Sequence, residues 1–198
     1  LGILVSAGCG GQASNGDKVH KVGIVQLVEH SSLDDANRGF VDGLKERGYE
    51  EGKNLTIDRQ NAQADQSNLQ NIVQRFISDK VDLICAIATP AVQSAANATK
   101  DIPIVGTAVT DYVSAKVVAS NDAPGGNVTG TSDLAPIAEQ IDLLMQLYPN
   151  AKTIGTIYSS SEINSEIQVK AMTEYAQSKG LTVRTATIST VNDIQQAA

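Results

Sequence analysis

The residues able to do chemistry fall into short polar clusters, and each cluster follows a run of β-branched apolar residues. Glu29-His30-Ser31-Ser32-Leu33-Asp34 follows residues 22–28, and Thr89-Pro90-Ala91 follows residues 82–88. Thr110-Asp111-Tyr112 closes the run that begins at Ile102, Ser132-Asp133 follows residues 128–131, and Tyr158 leads into Ser159-Ser160-Ser161-Glu162-Ile163-Asn164-Ser165. Such clusters open onto helix N-termini, where free N–H groups and the helix dipole favour an anion such as a carboxylate. Acidic side chains opposite, Asp111 or Glu162, suit an ammonium group. An amino acid carries both charges. The structural alternative is that Ser, Thr, Asp and Asn cap helices everywhere.

Catalysis has little support in these residues. His30 could act as a base beside Ser31 or Ser32, but adjacent loop residues rarely form a nucleophile–base pair, and no Gly-x-Ser-x-Gly elbow occurs. Gly8-Cys9-Gly10-Gly11 has no strand before it and no helix after it, so it is no phosphate loop. Cys85 sits inside an apolar run, which predicts a buried, inert thiol. Two cysteines and two histidines among 198 residues lack the paired spacing of a metal site. No metal and no cofactor are expected. A net charge of −7 speaks against nucleic acid as a partner.

The elements that must position these clusters alternate β and α along the chain. Residues 22–28, 55–57, 82–88 and 102–109 are expected strands, and residues 22–28 form an apolar run without alternation, as expected of a strand buried on both faces. Residues 34–47 carry Phe40, Val41 and Leu44 at helical spacing with Gly48 as the stop. Ser67-Asn68-Leu69-Gln70 is a capping-box pattern before a helix marked by Ile72, Val73, Phe76 and Ile77. A further helix is expected over 90–99. The turn-rich run 121–127 predicts a crossing between domains. Beyond it a helix at 136–147 and strands at 153–158 and 182–188 restart the pattern: 26 positions separate Val22 from Gly48, and 27 separate Thr153 from Gly180. A last helix is expected at 191–198. Two strands cannot bury both their own faces, so the second lobe is expected to be truncated, the chain being part of a longer protein.

The first residues form a separate segment. An apolar stretch ending in Ser6-Ala7-Gly8 stands directly before Cys9, and a polar, Gly-rich run follows. This resembles a bacterial lipobox, which implies that Cys9 carries a lipid and that a flexible tether holds a folded domain outside a membrane.

Five motifs in order carry a wider resemblance. They are Gln26-Leu27-Val28-Glu29-His30-x-x-Leu33-Asp34 with Gly39-Phe40; Ala88-Thr89-Pro90-Ala91; Asp101-Ile102-Pro103-Ile104-Val105 with Thr110-Asp111; Pro124-Gly125-Gly126-Asn127-Val128-Thr129-Gly130; and Tyr158-x-x-x-Glu162-x-Asn164-Ser165. From about Lys21 onward the chain resembles the substrate-binding proteins of ABC transporters related to the tryptophan-binding lipoprotein. The family's usual Asp-Pro after the fourth strand is Asp111-Tyr112 here.

The resemblance implies an α/β fold of two lobes, periplasmic-binding-protein-like of type I, with parallel sheets covered by helices on both faces. The expected division is a signal remnant, lipobox and tether at 1–20, an N-terminal lobe at 21–119, a hinge crossing at 120–130 and a partial C-terminal lobe at 131–198. It further implies a non-enzymatic, lipid-anchored, extracytoplasmic protein that binds an aromatic amino acid between its lobes and presents it to an ABC permease. A sensory or regulatory binding domain of the same architecture is the alternative. In this reading the carboxylate meets Thr89, Ala91 or Ser160, the ammonium meets Asp111 or Glu162, and the ligand side chain lies against Leu33, Tyr112 or Tyr158. His30, Pro90, Thr110, Ser132, Asp133, Asn164 and Ser165 complete the expected site. If Cys9 is lipidated, labelled fatty acid fed to the native host enters the protein and is lost in Cys9→Ser; equal labelling of both forms contradicts the assignment.

Overall fold

The structure, a computed structural model, describes residues 18–198; Cys9 and the rest of the lipobox lie outside the described residues. The first lobe runs β1 (His20–Gln26), α1 (Ser31–Glu46), β2 (Leu55–Asn61), α2 (Gln66–Ser78), β3 (Leu83–Ile87), α3 (Thr89–Ala98), β4 (Ile104–Val109) and β5 (Val128–Ser132). Its five strands are all parallel, in the order β2-β1-β3-β4-β5. Parallel neighbours need crossovers; α1, α2 and α3 supply those from β1 through β4, and the loop 110–127 supplies the one from β4 to β5. Alternate residues of each strand serve opposite faces. Val25, Ile84 and Ala86 pack with Leu69, Val73 and Phe76 of α2 and Val92 and Ala95 of α3. Ile24, Cys85 and Ile87 face the other way, toward Phe40, Val41 and Leu44 of α1. Burying both faces of the sheet requires these uninterrupted apolar runs.

Helix α2 departs from its expected cap. Its N-cap is Asp65, whose Oδ1 accepts the Asn68 N–H at 2.8 Å; Ser67 lies inside the first turn. A carboxylate two residues earlier holds the same N-terminal donors and adds favourable charge at the positive end of the dipole.

The larger difference concerns the passage between lobes. Residues 128–130 were expected to belong to the crossing, but Val128–Ser132 forms the fifth strand of the first sheet. The turn-rich run before it is a loop of the first lobe, tied down where Asn127 Nδ2 donates to Thr99 O at 3.1 Å and Ile102 O at 2.7 Å. Gly130 and Gly106 are register partners, and a Cβ on Gly130 would collide with the Gly106 carbonyl and the Tyr112 hydroxyl. The two missing side chains leave the space that the Tyr112 ring fills. Its hydroxyl donates to Thr131 O at 3.2 Å, Ser132 Oγ donates to Thr110 O at 2.7 Å, and Asp133 N–H donates to Val109 O at 2.9 Å. The chain therefore leaves the first sheet over residues 133–136.

The second lobe comprises α4 (Ile137–Leu147), β6 (Thr153–Ser159), α5 (Ile163–Ser178), β7 (Thr182–Ile188), a 3-10 turn (Val191–Asp193) and α6 (Ile194–Ala197). β6 and β7 pair in parallel. Ile141, Ala176 and Leu181 form a small core with Met145, Ile154, Met172, Tyr175 and Val183. Asp142 joins α4 to α5, accepting from Tyr175 Oη at 2.9 Å and lying 2.9 Å from Lys179 Nζ. Lys179 is pushed up to about 12 by the Tyr175 hydroxyl and the Asp142 carboxylate. Leu143, Leu147, Tyr148 and Ile157 remain exposed.

Burial pushes the Tyr112 phenol up to about 12, with the nearby Cys85 and Asp133 adding to the effect. Because the folded value lies above the ordinary one near 10, the stability it contributes is whole below pH 10 and is lost as pH rises through 12. Tyr112→Phe is expected to cost about 0.5–1.5 kcal/mol at pH 7 through the lost hydrogen bond. Between pH 10 and 12 the wild type should lose more stability than the variant, on the order of a few kcal/mol; parallel curves of melting temperature against pH for the two proteins would contradict the assignment.

Candidate functional site

The carboxyl ends of the strands in both lobes border one cavity of ≈ 720 Å³. Leu27, Ala64, Gln66 and Pro90 wall it from the first lobe, and Ser159, Ser161, Glu162, Ile188, Ser189 and Thr190 from the second. Each wall residue ends a strand or stands in the segment that follows one, the edge at which parallel α/β sheets present ligand sites. The volume suits a small molecule of amino-acid size or somewhat larger.

Local sequence explains how the second-lobe wall is held. Ser159 Oγ and Ser161 Oγ lie 2.9 Å apart, and Ser160 N–H donates to Ile188 O at 3.3 Å, carrying the β6–β7 pairing one residue into the loop. Asp193 accepts from Ser189 N–H at 3.1 Å, Thr190 N–H at 2.9 Å and Thr190 Oγ1 at 3.2 Å. These donors hold its carboxyl below the usual carboxylate range, the Thr190 N–H foremost. Glu162 stands at the N-cap of α5, half-buried, with its carboxylate making no cap bond. It accepts only a long contact from Asn164 Nδ2 at 3.5 Å, and Asn164 Oδ1 is buried with no hydrogen-bond partner. On the first-lobe wall, Ala88 adopts φ 84° on entry to α3. A left-handed conformation at a residue other than glycine is the kind of strain often stored at ligand-binding turns. Pro90 brings no N–H, and the Ala91 and Val92 N–H groups both donate to Ala88 O, at 3.1 and 3.2 Å.

Of the residues singled out in the sequence, Pro90 and Glu162 stand on the cavity wall. Thr89 and Ala91 are buried beside Pro90, and Tyr158, Asn164 and Ser165 are half-buried in the elements that carry the second wall. His30 is exposed and caps α1, its Nδ1 accepting the Ser32 N–H at 3.3 Å. Leu33 packs between the two cores of the first lobe. Asp111 accepts the Ser114 N–H, a local turn closure. Tyr112, expected beside the ligand, is instead 5% exposed and part of the core. It and Ser132 border a separate hollow of ≈ 190 Å³. Thr110 is buried and Asp133 exposed, both engaged by backbone as described above. The wall positions outside the expected site are Leu27, Ala64, Gln66, Ser159, Ser161, Ile188, Ser189 and Thr190. Gln66 and the Ser189-Thr190 pair both follow strands, so the same rule that marked the other loops reaches them too. Burial pushes the Cys85 thiol up to about 12, leaving a poor nucleophile inside β3. Among the described residues, no three His, Cys, Asp or Glu side chains converge as metal ligands, and no helix is long and apolar enough to cross a membrane.

Residues 21–198 match the family model described as ABC transporter substrate binding protein. The chain belongs to that family. A tyrosine-binding protein of Clostridioides difficile (strain R20291) is 48% identical over 207 residues, covering all of this chain and 60% of the relative. The crystal structure of an ABC domain in complex with L-Trp from Streptococcus pneumonia is 43% identical, with a TM-score of 0.86 over 90% of this chain and 60% of that one. A conserved domain protein from Vibrio cholerae is 42% identical, with a TM-score of 0.88 over 91% of this chain and 61% of that one. The chain thus spans about 60% of the length of the relatives it matches. The architecture is the type I periplasmic-binding-protein-like fold, α/β in both lobes.

Proposed function

We propose that this chain is the ligand-binding portion of an extracytoplasmic ABC importer component, and that it takes an aromatic amino acid in the cavity between its lobes. The observation that carries the proposal is the cavity itself, built by strand-end loops of both lobes and furnished with one carboxylate, Glu162, that its own helix does not use. The names of the relatives, a tyrosine-binding protein and a structure with L-Trp, support the class.

Glu162 receives the ligand's ammonium. The carboxylate meets hydroxyl groups of the serine loop, while Leu27, Pro90 and Ile188 provide apolar contact for an aromatic ring. Every wall residue belongs to one lobe or the other, so a ligand that touches both walls favours the state in which they are close. Closure follows from that differential contact, with residues 133–136 as the hinge. The closed form would present a joint surface to a membrane permease, and a lipid on Cys9 would keep the protein at the membrane. No step of chemistry on the ligand is involved.

L-Tyrosine or L-tryptophan should raise the melting temperature of the chain in a saturable manner, as ligand bound to the native state must. Glu162→Gln should weaken that binding about tenfold or more, the loss of one charged hydrogen bond, with the ligand-free melting temperature unchanged. Stabilisation by a sugar, a peptide or a metal ion, with none by aromatic amino acids, would overturn the proposal.

A further inference from the structure

Gln26 is a polar residue in an apolar place. It ends β1 between Val25 and Leu27, it is 4% exposed, and its neighbours across the sheet are Asn61 of β2 and Ile87 of β3. Its side-chain amide is engaged on both sides. Nε2 donates to Val28 O at 2.9 Å and to Asp34 Oδ1 at 2.7 Å, while Oε1 accepts from Asn37 Nδ2 at 3.3 Å. Both partners of Nε2 are acceptors, which fixes the orientation of the amide. Its backbone carbonyl accepts the Ala62 N–H at 2.9 Å, and the next carbonyl, that of Leu27, accepts the Ala64 N–H at 2.8 Å.

One residue therefore ties together the end of β1, the loop that follows it, the first two turns of α1 and the loop from β2 to α2. Those loops carry Leu27 and Ala64 and lead into Gln66 at the start of α2, three of the four first-lobe wall residues. Gln26 itself is not on the wall. A buried amide with every partner supplied is a strong local constraint, because loosening any one bond strands a polar group out of water.

We propose that Gln26 is a positioning residue for the cavity: its amide, oriented by Asp34 and Asn37, holds the first-lobe rim in the arrangement that receives the ligand. The inference rests on the binding reading above for its functional consequence, but its structural content can be measured without any ligand. Packing alone would give Gln26 a different signature, since a packing role is filled by an apolar side chain of similar size and bears on the whole lobe.

Amide hydrogen exchange and L-tyrosine titration on the chain, with Gln26→Leu, Asp34→Ala and Asp34→Asn, test this. Asp34 is only half-buried, so its variants serve should Gln26→Leu fail to fold. In Gln26→Leu and Asp34→Ala, the amides of Asp34 and Ala64, which bond to the His30 and Leu27 carbonyls, should exchange about tenfold or more faster. The amides of Ile84 and Thr182, elsewhere in the two sheets, should keep their wild-type rates. Asp34→Asn retains an oxygen for Gln26 Nε2 and should regain most of the protection lost in Asp34→Ala. Affinity for L-tyrosine should fall about tenfold in the two loosened variants. Exchange that is unchanged, or that quickens everywhere alike, overturns the proposal, as does a loosened rim with wild-type affinity. If the wild type itself binds no aromatic amino acid while the rim loosens as described, the positioning role stands and the ligand class proposed above fails.

Discussion

Every strand of both sheets runs parallel to its neighbours, so all the carboxyl ends within a lobe come out on one edge, and whatever the loops offer is offered together. That constraint decides where this protein can hold a ligand. The helices return the chain to the opposite edge each time, leaving the loops after β1, β2 and β3 on the same side. In the second lobe the loops after β6 and β7 do the same. When the two edges face each other they enclose the cavity, with Pro90 and Gln66 on one wall and Glu162 and Thr190 on the other. Parallel pairing also demands burial on both faces, which accounts for the core of the first lobe being made of strand residues that alternate between α1 on one side and α2 and α3 on the other.

The chain leaves the first sheet at a well-anchored point. Tyr112 seated against Gly106 and Gly130, with its hydroxyl on the Thr131 carbonyl, lets β5 pair closely with β4. Ser132 and Asp133 add bonds back to Thr110 and Val109. The departure point is thus fixed within a few residues, just before the short run 133–136 that leads into α4. Tyr112, which the resemblance would set beside a ligand, is buried against Gly106 and Gly130 and helps hold β5 on β4.

Much of this was legible in the residues. The β/α alternation, the boundaries of the helices at Gly48 and Gly180, and the repeat that begins at Thr153 all follow from apolar periodicity and turn chemistry, because burial on both faces leaves an uninterrupted apolar run that cannot be mistaken for an amphipathic strand. Strand β5 was not legible as part of the first sheet. Val128-Thr129-Gly130-Thr131-Ser132 has a single buried residue and an open edge, so pairing with β4 rests on a glycine opposite a glycine, a contact between distant positions. The candidate site divides the same way. Loops after strands mark the edge that borders the cavity, which is a consequence of topology; which side chain of a loop turns inward depends on local bonds. Ser160 spends its N–H on Ile188 while Ser159 and Ser161 reach the cavity, and His30 turns back to cap α1. Gln26 could be seen as a polar interruption of an apolar run, but its partners Asp34 and Asn37 are eight and eleven residues away and declare themselves only once α1 is folded against β1.

The central claim is that the cavity between the lobes, and not the hollow beside Tyr112, receives the ligand. Backbone amide chemical shifts of the chain, followed by NMR during titration with L-tyrosine, test it most directly. The account predicts saturable shifts at Leu27, Ala64, Gln66, Ser159, Ser161, Glu162, Ser189 and Thr190, with Tyr112, Asn121 and Thr129 unmoved. Shifts gathered around Tyr112, Asn121 and Thr129, with the cavity residues unmoved, would contradict it.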